Sequence, residues 1–219
     1  MCLRRGDNYV VSFPPRNILC IFLLLVSVLL AACTVNNTQG PGPSTTVPQW
    51  KQHQQQVEKV TRYRTRGVFA YISNRKKIYA RFNWQQSAPD LYSLLLTSPL
   101  GSTELQLNAQ GKTVQLIDNK GKRYVSNDVE KLIAQLTGMN IPLTKLRQWI
   151  MGHPDNISQY QLNSNYQLKS LKYNRNGQHW QVNIQSYDNK VTPAMPMSIE
   201  LREDDQCIIK LRMDSWSIP

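Results

Sequence analysis

The sequence predicts a mainly β (α+β) protein, with ten or eleven antiparallel strands curled into a barrel or half-barrel and short helices over its opening. Apolar and polar residues alternate along most segments after residue 62, as in the run Ile78 to Trp84. Turn signals such as Asn119-Lys120-Gly121 separate these segments at spacings of roughly 10 residues. Two amphipathic helical patterns interrupt the series between residues 127 and 152. Strands in such a series form a meander that curls over a core.

The chain begins with a pattern typical of an export signal. Three arginines up to Arg16 precede the apolar run Ile18 to Leu30, and Ala31-Ala32 precede Cys33. The run has about 13 residues, whereas a transmembrane helix needs about 20, so a signal is favoured over a membrane anchor. Small residues before a cysteine resemble the bacterial lipoprotein box. We therefore expect residues 1–32 to be removed as a signal peptide and Cys33 to become the lipidated N-terminus.

The next segment, residues 33–48, is predicted to be this lipidated N-terminus followed by a flexible linker, because it is polar and rich in Pro and Gly. Residues 49–219 then form a single domain. The whole chain carries a net charge of +12, and loss of the signal leaves +10. Such a surface suits an acidic protein or anionic lipid. Nucleic acid also binds basic surfaces, but an exported, lipid-tethered chain would rarely meet it.

Cysteine usage excludes an internal disulfide in the mature chain. Cys2 and Cys20 leave with the signal and Cys33 is expected to be lipidated, so Cys207 has no partner. Cys207 alternates with Ile209 and Leu211, and this pattern predicts a buried, unreactive thiol.

The helices are predicted from periodicity and end signals. Pro48 opens a helix over residues 49–60. Asn127 with Glu130 resembles a capping box, and Gly138 ends the helix that it starts. Pro142 precedes another helix, which spans Leu143 to Ile150 and ends before Gly152.

Strands resume near residue 159 and continue to the C-terminus. Asn176-Gly177 is the strongest short hairpin signal in the chain. The last hairpin is expected to turn at Asp204-Asp205.

No familiar catalytic or metal-binding motif occurs in the sequence. His153 lies in a Gly-His-Pro turn, where a loop role is expected. We therefore predict a protein that is not an enzyme and has no metal or cofactor other than the covalent lipid on Cys33. A lipid-modifying enzyme is a weaker alternative, which a buried cluster of His, carboxylate and Ser would favour. The abundant apolar residues fit either a filled core or a cavity for acyl chains.

Several stretches, taken together and in order, resemble the LolB family of outer-membrane lipoprotein receptors. They include Thr65-Arg66-Gly67-Val68-Phe69-Ala70-Tyr71-Ile72, Tyr79-Ala80-Arg81-Phe82, Pro99-Leu100-Gly101-Ser102-Thr103-Glu104-Leu105, Leu136-Thr137-Gly138-Met139, Leu146-Arg147-Gln148-Trp149-Ile150 and Pro193-Ala194-Met195-Pro196. The resemblance implies an unclosed antiparallel β-barrel of about 11 strands, with an internal apolar cavity lidded by short helices. It also implies a monomer that takes lipoproteins from the periplasmic carrier LolA and inserts them into the inner leaflet of the outer membrane, facing the periplasm.

The site residues follow from this resemblance and from the periodicity. The Pro99-Leu100-Gly101 loop is expected to face the membrane, with Leu100 as its inserting side chain. Acyl chains would contact the inward side chains of strands and helices. The candidates are Phe82, Trp84, Leu94, Leu96, Leu105, Leu107, Ile133, Leu136, Leu146, Trp149 and Trp180. Thr34 stands where an aspartate resembles the inner-membrane retention signal, so outer-membrane residence is expected.

One alternative from another functional class stays open. The chain could be a non-catalytic structural envelope lipoprotein that acts through its surface and has a solid core. An apolar cavity of hundreds of Å³ would favour acyl binding over this alternative.

Overall fold

A computed structural model describes residues 47–175, 177–204 and 206–219. The predicted signal peptide, Cys33 and most of the linker lie outside the described residues. Three helices are described: α1 (Pro48–Glu58), α2 (Val129–Thr137) and α3 (Leu143–Trp149). Eleven strands are described: β1 (Tyr63–Ser73), β2 (Lys77–Ala88), β3 (Leu91–Thr97), β4 (Thr103–Gln110), β5 (Thr113–Asp118), β6 (Arg123–Ser126), β7 (Tyr160–Leu162), β8 (Leu168–Arg175), β9 (Gln178–Asp188), β10 (Met195–Glu203) and β11 (Cys207–Ser217).

The strands form one antiparallel sheet in the order β6-β5-β4-β3-β2-β1-β11-β10-β9-β8-β7. β1 pairs with both β2 and β11, which joins the two halves of the chain. The edge strands β6 and β7 are short, and the sheet does not pair them with each other. The predicted fold class, a mainly β protein with an unclosed antiparallel sheet, is confirmed.

Alternation along each strand sends apolar side chains to one face. On β2, Ala80, Phe82 and Trp84 are buried, and on β9, Trp180, Val182 and Ile184 are buried, as the period of two predicts. Hairpin β8–β9 closes with Arg175 opposite Gln178, which fits the predicted two-residue turn. Asn176 and Asp205, in the two predicted turns, lie outside the described residues.

A bulge bends β1 where it meets β11. The register shifts between Arg66 and Gly67, and a Cβ on Gly67 would stand 1.9 Å from the carbonyl oxygen of Arg212. Only glycine permits this approach, because every other residue would place its Cβ inside that oxygen. The bulge helps the sheet to curl.

The start of α2 corrects the capping prediction. The N-cap is Asp128, whose carboxylate accepts the Lys131 N–H at 3.0 Å, and not Asn127. The Glu130 carboxylate does not reach back to a cap; it accepts the Thr144 N–H of α3 at 3.0 Å and so ties the two helices together. Gly138 ends α2 in the left-handed conformation, φ +68°, as predicted.

The core lies between the inward face of the sheet and the three helices. Trp50 of α1 is buried and donates from Nε1 to the Tyr160 hydroxyl at 2.9 Å. Cys207 is buried, as predicted. Burial, together with the Glu203 carboxylate beside the thiol, raises the pKa of Cys207 to about 12. The thiol is therefore protonated at physiological pH.

Candidate functional site

A cavity of about 40 Å³ lies between the sheet and the helices α2 and α3. The sheet contributes side chains from β1, β2, β3, β4 and β11, and α2, α3 and the loop between them form the opposite wall. All lining residues are apolar except Thr65, whose hydroxyl donates to the Ser215 carbonyl at 3.0 Å. The cavity can therefore attract apolar groups, and it presents no nucleophile or charge.

The structure places seven of the eleven candidate acyl-contacting residues on this cavity. They are Phe82, Trp84, Leu94, Leu96, Leu105, Ile133 and Leu146. The strand members share one face of β2, β3 and β4, where Trp84 lies opposite Leu94 and Phe82 lies opposite Leu96.

The other four candidates lie outside the cavity lining. Leu107 is fully buried between Leu94 and Leu116 of the neighbouring strands. Leu136 is half-buried, because three residues on a helix turn it about 60° away from Ile133.

The two tryptophans among these four belong to another part of the core. Trp149 packs edge-on against Tyr173 at 5.5 Å between ring centroids, and Trp180 is the strand partner of Tyr173. They fill the space on the β8–β9 side of the sheet, away from the strands that line the cavity.

Eight further residues line the cavity and are not among the candidates predicted from the sequence: Thr65, Phe69, Met139, Ile141, Leu143, Ile150, Leu211 and Met213. The alternation of inward and outward side chains on β1 and β11 would have indicated Phe69, Leu211 and Met213. Met139 and Ile141 stand in the α2–α3 loop, where no periodicity exists to indicate them.

Arg147 fastens α3 to the hairpin between β2 and β3. Its Nη2 donates to Gln86 Oε1 at 3.2 Å and to the Pro89 carbonyl, and its guanidinium lies over the Tyr92 ring at 4.0 Å. Nε of Arg147 is buried without a hydrogen-bond partner. These contacts of one side chain join α3, which lines the cavity, to the β2–β3 hairpin.

A polar cluster fastens the other side of the helical lid. Glu203 is buried at the end of β10, and its carboxylate accepts from Asn140 Nδ2 at 3.2 Å and from Gln178 Nε2 at 2.9 Å. Lys76 donates to the Thr137 carbonyl at 2.7 Å. Asn140 and Thr137 both belong to the end of α2 and the loop that follows it, so polar contacts secure the lid around an apolar interior.

The Pro99-Leu100-Gly101 loop forms the turn between β3 and β4. The Gly101 N–H donates to the Ser98 carbonyl at 2.9 Å, with Pro99 at the second turn position and Gly101 at φ +92°. Leu100 is 96% exposed, and no other large apolar side chain in the described part of the chain is as exposed. The loop therefore displays an aliphatic group that no part of the core covers.

In the described part of the chain, the His, Cys, Asp and Glu side chains form no metal-binding group. Across residues 47–175, 177–204 and 206–219, no three His, Cys, Asp or Glu side chains are placed to hold a metal ion. His153 contacts Glu58 at 3.2 Å and accepts the Asp155 N–H at 2.9 Å, and neither partner is a serine hydroxyl. None of the described helices combines the length and apolar character required to cross a bilayer.

Comparison with known proteins assigns the chain to a family. The family "Outer membrane lipoprotein LolB" matches residues 61–216. The outer-membrane lipoprotein LolB of Erwinia tasmaniensis is 56% identical over 197 residues, which cover 90% of this chain and 94% of the relative. LolB of Yersinia pestis is 54% identical over 196 residues, with the same coverage of both chains. The chain belongs to the LolB family. It is an outer-membrane lipoprotein of this family.

Solved structures share the fold at low sequence identity. A LolA superfamily protein from Nitrosomonas europaea superposes with a TM-score of 0.53 at 8% identity, covering 77% of this chain and 93% of that one. A DUF1329 family protein from Desulfovibrio piger gives a TM-score of 0.51 at 5% identity, covering 78% and 91%. The LolB-family chain therefore shares its fold with proteins of very different sequence.

Proposed function

We propose that this LolB-family protein accepts lipoproteins from the periplasmic carrier LolA by binding their acyl chains, and inserts them into the inner leaflet of the outer membrane. The observation that carries the proposal is the apolar cavity beneath α2 and α3. Polar contacts outside the cavity, made by Arg147 and Glu203, hold this helical lid to the sheet. Binding of this kind is not enzymatic, because it needs apolar surface and a movable cover but no reactive group.

Cargo binding requires the lid to separate from the sheet. The cavity holds about 40 Å³, whereas pockets for small molecules occupy roughly 300–1,000 Å³. Separation of α2 and α3 from β1 to β4 would expose the lining leucines, Phe82 and Trp84 to an acyl chain. Each methylene that leaves water would contribute about 0.8 kcal/mol, so a long chain offsets the loss of a few polar fastenings.

Transfer is proposed to run from weaker to stronger binding. The sequence has no phosphate-binding loop with which to use a nucleotide. A cavity that binds acyl chains more tightly than the carrier, but less tightly than a bilayer, is sufficient. The positive charge of the domain would attract an acidic carrier and accelerate docking.

The N-terminal assignments complete the proposal. Residues 1–32 are removed, Cys33 carries the lipid anchor, and the linker up to residue 48 tethers a single domain, 49–219, on the periplasmic side of the membrane. Mass measurement of the purified protein tests this assignment. A retained signal, or a Cys33 without lipid, would contradict it.

Leu100 is proposed to enter the bilayer when cargo is released. Burial of a leucine side chain among acyl chains contributes about 1.5–3 kcal/mol. That is small beside a lipid anchor, but it is enough to orient the domain towards the membrane. The Leu100→Glu variant should fold normally, because the side chain at position 100 is in water in the free protein.

Two experiments test the proposed function. Depletion of the protein should cause lipoproteins to accumulate on the carrier, and normal outer-membrane delivery after depletion would refute the proposal. In reconstituted transfer, Leu100→Glu should accept cargo from the carrier at the normal rate and fail to deliver it to liposomes. Leu91→Glu is a matched control, because Leu91 is also an exposed strand-end leucine but lies by the β2–β3 turn, at the other end of β3.

The small cavity also fits the alternative of a structural envelope lipoprotein that acts through its surface. A fluorescent fatty acid separates the two functions. Competition between the fatty acid and lipoprotein cargo for this protein supports acyl binding, and absence of fatty-acid binding supports the structural function.

A further inference from the structure

Three neighbouring hairpin turns meet at one rim of the sheet. Ile72 pairs with Lys77 before the β1–β2 turn, Thr97 with Thr103 around the β3–β4 turn, and Ile117 with Arg123 around the β5–β6 turn. The turns are staggered, because Thr97 lies opposite Arg81 of β2, four residues inward from Lys77. Strand tilts of about 35–45° in barrels convert such a stagger into a common rim.

The turns on either side of the Leu100 turn are strongly basic. Six cationic residues occupy them, all exposed to solvent, and we name this set the cationic collar: Arg75, Lys76, Lys77, Lys120, Lys122 and Arg123. Neighbouring turns are two strands apart, which places them about 10–15 Å from one another. Flexible side chains at that spacing put their charges within about one Debye length of Leu100.

Most of the collar's charge is not neutralised by contacts within the described structure. Lys76 donates to the Thr137 carbonyl, and the Lys122 ammonium lies 5.1 Å from the centre of the Tyr124 ring. Neither partner is an anion. No ion pair among the described residues involves any member of the collar.

The acidic residues beside the collar are few. Asp118 accepts the backbone N–H groups of Lys120 and Lys122, each at 2.9 Å, and so shapes the β5–β6 turn. Glu104 is exposed at the start of β4. Six cations and these two acids leave a net charge of +4 around an aliphatic tip. At the same end, the β10–β11 turn carries Asp204 and the β8–β9 turn carries Arg175, so basic residues are concentrated on the β1–β6 side.

We propose that the cationic collar binds the phosphate groups of anionic phospholipids around Leu100. This inference rests on the proposed function and names the surface that Leu100 approaches. A membrane is favoured over an acidic protein because the charges surround a protruding leucine. An exposed leucine is stabilised only if it leaves water, and a membrane offers hydrocarbon directly beneath its anionic surface. The collar brings the rim to the head groups, and the leucine then passes between them.

The effect of the collar should depend on lipid charge and salt. Each Lys or Arg near an anionic leaflet contributes about fivefold in membrane affinity. Four such residues together should raise the affinity for an anionic membrane several hundredfold at low ionic strength. At about 1 M salt the Debye length falls to about 3 Å, so most of the gain should disappear.

The test uses the mature lipid-bearing protein with an environment-sensitive fluorophore on a Ser102→Cys substitution beside the tip. Cys207 is buried and protonated, so the new thiol is labelled selectively. The collar variant combines Arg75→Gln, Lys77→Gln, Lys120→Gln and Arg123→Gln. Its matched control removes the same charge elsewhere, with Lys59→Gln, Lys112→Gln, Lys172→Gln and Lys190→Gln, all exposed positions.

Tip insertion and cargo delivery are measured on vesicles of phosphatidylcholine, with and without one-third phosphatidylglycerol. The parent and the control variant should insert the tip far more on the anionic vesicles. The collar variant should lose that preference by a hundredfold or more, and behave like the parent on phosphatidylcholine.

The outcomes separate the collar from the proposed function. If the collar variant inserts normally on anionic vesicles while Leu100→Glu does not, the collar is refuted and the proposed function stands. If the collar variant is slow only in uptake from the carrier, the surface binds an acidic protein and the inference is overturned. If Leu100→Glu also delivers cargo normally, Leu100 does not need to enter the bilayer. That result would refute both the proposed membrane insertion of Leu100 and the proposed binding of phospholipid by the collar.

Discussion

Replacement of Arg147 by alanine is expected to loosen the lid. The substitution removes the hydrogen bonds to Gln86 and Pro89 and the stacking on Tyr92. Each hydrogen bond contributes about 1 kcal/mol, and the guanidinium–ring contact about 0.5–1 kcal/mol at this half-buried position. The closed lid should therefore lose about 2–3 kcal/mol, which corresponds to a 30- to 150-fold rise in the open population.

The assay is the rate at which the mature protein takes up a fluorescent fatty acid. If the fatty acid enters the cavity only when the lid is open, the uptake rate of Arg147→Ala should rise by the same factor as the open population. Arg147→Lys keeps the charge but loses the planar guanidinium that lies over the Tyr92 ring, so its uptake rate should fall between those of the parent and the alanine variant. Gln148→Ala, an exposed neighbour on α3, is the control and should leave uptake unchanged.

A different result would refute this reasoning. If Arg147 only stabilises the fold, Arg147→Ala should lower the free energy of unfolding by about 2–3 kcal/mol and leave the uptake rate of the folded protein unchanged. Unfolding in urea, measured on the same samples, separates the two effects.

Two further predictions concern stability. Gly67→Ala should lower the free energy of unfolding by about 1–3 kcal/mol or more, because its Cβ would collide with the Arg212 carbonyl, and an unchanged urea midpoint would contradict the bulge geometry. For Cys207, burial raises the pKa from its ordinary 9.0 to about 12, so above pH 9 the unfolded chain loses a proton that the folded chain keeps. Stability should therefore fall from about pH 9 to pH 12, and the fall should be shallower in Cys207→Ala; equal slopes in the two proteins would contradict the shift.

Local patterns in the sequence predicted most of the elements. Alternation is a property of the strand itself, so Phe82 and Trp84 could be assigned to the inner face without knowledge of their neighbours. Gly138 ends α2 as predicted, because glycine adopts the left-handed conformation that this position requires. The N-cap prediction was wrong by one residue, since Asn127 and Asp128 are both good caps and the path of the chain out of β6 selects between them.

Exposure of Leu100 was also predictable from local sequence. A Pro-Leu-Gly sequence between two apolar strands forms a tight turn, and the tip of a tight turn has no core beside it. The other predicted hairpin turns, such as Asn119-Lys120-Gly121, carry polar residues, so an aliphatic residue at this turn stands out in the sequence.

The sequence by itself determined which side chains face inward, because a period of two or 3.6 residues is fixed by local backbone geometry. Only the tertiary structure decided which inward residues share the cavity. Phe82 and Leu211 line it together because β1 pairs with both β2 and β11, whereas Trp149 and Trp180 are equally buried and lie elsewhere. The Arg147 contacts with Gln86 and Pro89 likewise join positions about 60 residues apart in the chain, and no local pattern encodes such pairings.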